Sequence, residues 1–333
     1  MFVLQNYTWA VVFCVITMFC WGSWANTQKL ARKGWRFELF YWDYAIGVLL
    51  LSLILGLTLG SHGAAGRPFL SDLAQASHSS IGSALLGGAI FNLANILLVA
   101  AIDIAGMSVA FPVGIGIALV LGVVVNYAAN PVGDAPLLFG GVALVMSAIV
   151  LDAIAYRRLR GGAAGISTKG LMLSVSCGVL MGFFYRFVAA SMYPDFSSPE
   201  AGKLGPYAAV FIFAVGIFIS NFLLNTLMMK RPFVGTPVSY ADYFRGGFGT
   251  HLTGILGGII WGVGMSFNII ASGRAGFAIS YGLGQGATMV AAFWGVFVWR
   301  EFRTAPSGTS KLIAAMFGGF LIGLALIILA RMS

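Results

Sequence analysis

The sequence predicts an all-α polytopic membrane protein with ten transmembrane helices arranged as two inverted five-helix repeats. Three observations predict it: a composition too apolar for water, ten apolar windows long enough to cross a bilayer, and an internal match between the two parts of the chain. Of the 333 residues, 59% are hydrophobic and 9% are charged, against roughly 45–50% and about 25% in soluble domains. The 19 Lys and Arg and 10 Asp and Glu do not coat a globule of this length, which excludes a cytosolic enzyme and a secreted domain. The 45 glycines suit helices that pack closely in lipid, where small residues let backbones approach.

The apolar windows run over residues 8–28, 39–60, 81–102, 107–128, 136–155, 169–190, 205–229, 250–272, 276–299 and 311–331, each about the length a spanning helix needs. Ten spans put both termini on one side, and the basic residues say which. With the termini outside, the cytosolic loops hold Lys29, Arg32, Lys33 and Arg36; Arg157, Arg158, Arg160 and Lys169; Lys230, Arg231 and Arg245; and Arg300, Arg303 and Lys311. The outer side holds Arg67, Arg186, Lys203, Arg274 and Arg331, so the bias is 14 to 5. The net charge of +9 is thus a property of helix ends and not of a nucleic-acid surface. The expected location is the cell (plasma) membrane, multi-pass, with lipid as the surrounding partner and no nucleic acid. Residues 1–9 carry no Lys or Arg and so lack the basic region of a signal peptide. Cys14, Cys20 and Cys177 fall inside apolar runs and read as packed free thiols.

Sliding the chain by 170 residues lays 87–120 on 257–290 without a gap, with nine of 34 positions identical, among them Gly87/Gly257, Gly88/Gly258, Gly106/Gly276, Gly114/Gly284 and Gly116/Gly286. The order of events also repeats: a glycine pair, a helix, a tight turn at Ala-Gly, then a helix carrying Gly-x-Gly. Residues 1–333 therefore read as a single transmembrane domain, with a first repeat over 1–155 and a second over 169–333. Five is odd, so the second copy enters the membrane inverted.

The pattern resembles the drug/metabolite transporter superfamily and, within it, the ureide permeases and the related glucose/ribose porter and rhamnose-proton symporter families. The residues that carry the resemblance are Gly22-Ser23-Trp24, Tyr41-Trp42-Asp43-Tyr44, Asn92-Leu93-Ala94, Gly106-Met107-Ser108-Val109 and Asn126-Tyr127. In the second part they are Tyr207, Leu224-Asn225, Arg231-Pro232, Ala275-Gly276, Phe293-Trp294-Gly295-Val296 and Glu301-Phe302-Arg303. The segment 156–169 is short where plant ureide permeases have a long hydrophilic loop. The resemblance implies secondary active, proton-coupled uptake of a small neutral polar solute, a sugar or a ureide or nucleobase. An exporter of drugs or metabolites from the same superfamily stays open as the alternative, and sodium as the other candidate ion.

Buried polarity is costly in hydrocarbon, so polar groups inside spans act as interhelical glue or line a solute path. Asn92 and Asn95 are three apart and Asn221 and Asn225 four apart, so each pair shares a helix face. An amide offers a donor and an acceptor without adding charge, and both roles stand open for each pair. Trp21 and Trp24 share a face, and Trp261 lies two turns before Asn268; aromatic walls with an amide nearby suit sugar faces or flat heterocycles. Tyr281 and Gln285 are four apart among Gly282, Gly284 and Gly286. Pro112 with Gly114 and Gly116 is the matching weak point, and these two glycine clusters are the expected hinges.

A coupled transporter needs an intramembrane group that changes protonation, and Asp43, one turn into the second span, is the candidate. Pairing with Lys29 or Arg36 is its competing role. Glu38 reads as a solvated helix cap, and Asp103 and Asp152 read as structural acids. His62, His78 and His251 occur singly, no Walker A or HExxH motif is present, and no metal ligand set or cofactor site is expected. An enzyme is not expected; an intramembrane enzyme or a passive pore is the rival from another class.

Overall fold

A computed structural model describes residues 1–159 and 167–332, so Arg160, counted above among the basic-loop charges, lies outside the described residues. Every regular element among them is helical. Helix α1 (Tyr7–Ser23) is capped by Asn6, whose Oδ1 accepts from the Trp9 N–H at 3.0 Å, and continues as a 3-10 stretch over Trp24–Leu30. There follow α2 (Phe37–Leu57), the short α3 (Phe69–Gln75), α4 (His78–Ala105), α5 (Met107–Ala110), α6 (Gly116–Ala129) and α7 (Ala135–Leu159). The second part holds α8 (Thr168–Ser191), α9 (Pro206–Lys230), the short α10 (Tyr240–Phe244), α11 (Phe248–Ala275), α12 (Phe277–Gly284), α13 (Ala287–Phe293) and α14 (Thr309–Leu329).

Nine helices among the described residues are long and apolar enough to cross a membrane, and they match nine of the ten expected windows. The window 276–299 is broken instead. Helix α12 stops at Gly284, Gln285 and Gly286 form a turn, and α13 gives way to a π-turn at Trp294–Val298. Close packing requires the glycines at the break. A Cβ on Gly284 would press on the Trp21 ring, and one on Gly286 on Met18 and Leu324, so a regular helix with ordinary side chains would push α1 away. Pro112, one of the expected hinge residues, falls in a π-turn over Phe111–Ile115. Proline has no N–H to give, so the helical ladder loses a bond there and widens.

Close helix crossings account for other glycines. A Cβ on Gly88 of α4 would overlap the Phe213 carbonyl of α9, and one on Gly216 of α9 the Leu85 carbonyl of α4. Helices α2 and α11 cross in the same manner through Gly47 and Gly258. Gly88→Ala is therefore expected to force backbones apart and lower the thermal midpoint of the purified protein, at about 1–3 kcal/mol for overpacking. Gly82→Ala on the same helix meets nothing within 4 Å and should leave the midpoint unchanged or raise it; thermal shift in detergent compares the two.

One end of the bundle is closed by packing. Met1, Val3 and Leu4 are buried, the Leu4 carbonyl accepts from Arg274 at 2.9 Å, and the Phe2 carbonyl accepts from Tyr207 at 3.1 Å. The Asp72 carboxylate, on α3, accepts from Arg67 at 3.1 Å and from the Gly205 N–H at 2.6 Å, which ties the segment before α4 to the start of α9.

Candidate functional site

The other end is open. A cavity of ≈ 730 Å³ lies among α1, α2, α4, α8, α9, α11 and the break between α12 and α13. One wall is aromatic. Trp261 of α11 stacks on Trp21 of α1 at 5.8 Å between ring centroids and 14° between planes, and lies 4.5 Å from Phe91 and 6.1 Å from both Tyr44 and Phe213. Glycines hold this arrangement: a Cβ on Gly264 or Gly284 would strike the Trp21 indole. Trp24 continues the wall, tilted on Tyr44 at 4.7 Å.

Amides interrupt the aromatic surface at Asn95, Asn225 and Gln285, with Thr288 beside the last. Asn95 is fixed by donating to the Tyr41 hydroxyl at 3.1 Å. The Asn225 amide donates to the Glu38 carbonyl at 2.8 Å, and its Oδ1 is buried without a partner among the described residues, as is the Trp21 indole N–H. An unmet buried donor and an unmet buried acceptor cost about 1–3 kcal/mol each. Both residues belong to the cavity lining.

Charge is confined to the mouth, where Arg36, Glu38 and Asp103 are the charged residues of the lining. Arg36 grips Glu38 through Nη2 and Nε, at 2.6 and 3.2 Å, and also donates to the carbonyls of Thr236 and Val234. Glu38 is therefore a buried, clamped acid and not the solvated cap expected from its place at a helix start. Asp103, read as a structural acid in a turn, is exposed at the mouth within electrostatic reach of Glu38 and Arg36.

The structure brings Trp21, Trp24, Asn95, Asn225, Trp261 and Gln285 together around one cavity. It puts Asn92, Asn221, Asn268 and Tyr281 elsewhere, all buried and bonded between helices. Asn92 donates to Ser220 at 2.8 Å and to Asn221 at 3.3 Å; Asn268 donates to the Ser280 carbonyl at 2.7 Å. The Tyr281 hydroxyl reaches the Met181 and Ala118 carbonyls at 3.0 and 3.2 Å. Of the hinge candidates, Pro112 and Gly114 fall in the π-turn, Gly116 directly follows it, and Gly284 and Gly286 flank the helix break, with Gly282 inside α12.

Asp43 lies away from the cavity and is buried between α2, α10 and α11. Its carboxylate accepts from the Tyr243 hydroxyl at 2.6 Å and meets Nδ1 of His251 at 2.9 and 3.0 Å. The pairing with Lys29 or Arg36 does not form. Arg36 finds Glu38 two residues away, and the Lys29 ammonium sits over the Trp299 ring at 4.0 Å. Burial and the adjacent Asp43 carboxylate push the Tyr243 phenol well above its usual value, so it stays the donor. His251, which the sequence shows only as a single histidine, lies in α11 and is the partner that spacing does not reveal. The available signal was the glycine that follows it one turn later: a Cβ on Gly254 would strike Asp43, so Gly254 marks the face of α11 that meets α2.

Comparison with known proteins gives the family. Ureide permease 1 of Arabidopsis thaliana is 22% identical over 98% of each chain, and ureide permease 2 of the same plant is 24% identical over 98% of each. A crystal structure described only as that of a protein superposes with a TM-score of 0.58 at 16% identity, covering 98% of this chain and 99% of its own, which supports the fold alone. The family model described as ureide permease matches residues 40–160 and 164–330. The chain is a multi-pass membrane protein that belongs to the ureide permease family.

Proposed function

We propose that the protein is a secondary active transporter that takes up a small neutral polar solute of the ureide or nucleobase type together with a proton. The observation that carries this reading is the wall of the ≈ 730 Å³ cavity, where the Trp21–Trp261 stack adjoins the amides of Asn95, Asn225 and Gln285. A flat ring with alternating N–H and C=O groups stacks on such indoles. Its edge offers an N–H to the Asn225 Oδ1 and a carbonyl to the Trp21 indole, two of the buried polar groups without a partner among the described residues. The family membership points the same way.

In this reading the broken segment Phe277–Val298 is the tenth crossing, and the chain is two inverted five-helix repeats. Helices α4 and α11 support the repeat. Each is 28 residues long, and each ends at a glycine of positive φ, Gly106 at 77° and Gly276 at 85°, 170 positions apart. The two glycine crossings, α4 on α9 and α11 on α2, are what a twofold relation between the repeats produces. The mouth is framed by the loops that carry Arg32, Lys33, Arg36 and Arg231, so the positive-inside rule orients it to the cytosol with both termini outside. Alternating access follows by rocking of the repeats, with the π-turn at Pro112 and the break at Gln285–Gly286 as hinges. Asp43 supplies the coupling charge.

Uptake of labelled allantoin, uracil and glucose by whole cells expressing the protein tests the reading. Allantoin or uracil is expected to accumulate above its external concentration, and a protonophore should remove the accumulation. No accumulation of any of them, with or without a proton gradient, would overturn it. Resistance to toxic compounds without uptake would instead favour export.

A further inference from the structure

We propose that His251 and Asp43 together form the proton-binding site, and that Tyr243 conveys its occupancy to the mouth of the cavity. The inference rests on the transporter reading and assigns its coupling site. Among the described residues His251 is the basic group within ion-pair distance of Asp43, at 2.9 Å, with side chains 20% and 2% exposed. With the imidazole neutral and its proton on Nδ1, the pair carries the single negative charge of Asp43. One proton added at Nε2 makes an imidazolium beside a carboxylate, so the site passes between −1 and zero with one proton gained or lost and no other bond changed. Nε2 faces the turn after α10, where a Cβ on Gly246 would meet it.

The neighbouring charges are otherwise engaged. On α2, Glu38 is clamped by Arg36; on α10, Asp242 is held by Ser239 at 2.7 Å and paired with Arg245 at 3.7 Å. Before α2, Lys29 lies over Trp299, and α11 carries no further charge until Arg274. Lys230 and Arg231, at the end of α9, join no described ion pair with Asp43.

The link to the solute is short. The His251 ring meets Tyr243 edge-on at 4.7 Å and Trp35 edge-on at 5.5 Å, and Trp35 lines the cavity mouth. Helix α10 has five residues, closes its own N-terminus through the Ser239–Asp242 capping box, and reaches the buried carboxylate through Tyr243. Charging His251 draws the Asp43 carboxylate toward the imidazolium and weakens its bond to Tyr243. The loop that carries α10 and flanks the mouth is thereby freed to move.

The test uses purified full-length protein in liposomes with labelled allantoin or uracil, whichever the wild type accumulates. His251→Asn keeps an amide N–H near the Nδ1 position but does not titrate. It is expected to lower gradient-driven accumulation at least tenfold and flatten the pH profile, while counterflow exchange stays within a few-fold of wild type. Accumulation and a pH profile equal to wild type would overturn the inference. The wild type guards the distinction, because a wild type that accumulates nothing indicts the transporter reading itself. A second measurement does not depend on the His251 variant folding. The chain has three histidines, so nitrogen-15 histidine NMR, assigned with His62→Gln and His78→Gln, follows His251 directly. His251 is expected to gain a proton at Nε2 as pH falls from 9 to 5, with a shifted midpoint when solute is added. A single protonation state throughout, or a midpoint indifferent to solute, would overturn the assignment.

Discussion

Asp43→Asn is expected to abolish uphill accumulation of solute while leaving exchange of labelled for unlabelled solute across the membrane. The side chains are nearly the same size, so the buried pocket between α2, α10 and α11 stays filled, and the amide oxygen can still accept from Tyr243. What disappears is the charge. A neutral amide leaves the His251 imidazolium without the carboxylate that balances its charge in the pocket, so taking up the proton is disfavoured, and a transporter whose coupling site no longer takes up a proton equilibrates its solute but does not concentrate it. Counterflow and gradient-driven uptake measured side by side on the same liposomes check this. Accumulation by Asp43→Asn equal to wild type would remove Asp43 from the mechanism.

The second large effect is expected at Trp261. Its indole is the centre of the aromatic wall, with Trp21 stacked on one side and Phe91 at 4.5 Å. Aromatic pairs are worth about 0.5–1.5 kcal/mol each beyond the area they bury, so losing them and the solute-stacking face should raise the KM for uptake tenfold to a hundredfold in Trp261→Ala. Trp261→Phe keeps a ring against Phe91 and should fall between the two. Because truncating a buried indole also opens a void, each variant's thermal midpoint belongs beside its KM. A raised KM in Trp261→Phe at an unchanged midpoint separates solute contact from packing, and an unchanged KM in Trp261→Ala would mean the solute passes elsewhere.

The spans were legible because hydrocarbon demands long apolar helices, and nine windows match within a few residues. The interruption at Gln285–Gly286 was legible only as a cluster of glycines. Whether such a cluster thins a regular helix or breaks it depends on how closely Trp21, Met18 and Leu324 approach, and these come from other parts of the chain. The amides show a similar limit. Spacing assigned Asn92 with Asn95, and Asn221 with Asn225, to shared faces, yet in each pair one amide bonds across the α4–α9 crossing and the other lines the cavity. A helix face seen in sequence is about half a turn wide, and the boundary between helix contact and open cavity falls inside it. The aromatic wall was half visible: Trp21, Trp24 and Trp261 stood out as tryptophans, whereas Phe91 was one phenylalanine among 27.

The charged groups were the least legible, since each took a partner that spacing does not reveal. Asp43 and His251 are 208 positions apart, and Glu38, at a helix start where acids usually meet water, is buried because Arg36 folds over it toward the Val234–Thr236 loop. Long-range pairs of this kind are products of the crossings at Gly47, Gly254 and Gly258, which bring α2 against α11.

The most direct test of the central claim is accumulation by the purified protein in sealed liposomes carrying an imposed proton gradient and no other energy source. Labelled allantoin or uracil is predicted to rise above its equilibrium level in the less acidic compartment, to fall back when a protonophore is added, and to be displaced by excess unlabelled solute. Label that enters only to equilibrium whatever the gradient, or that never enters, would contradict the account.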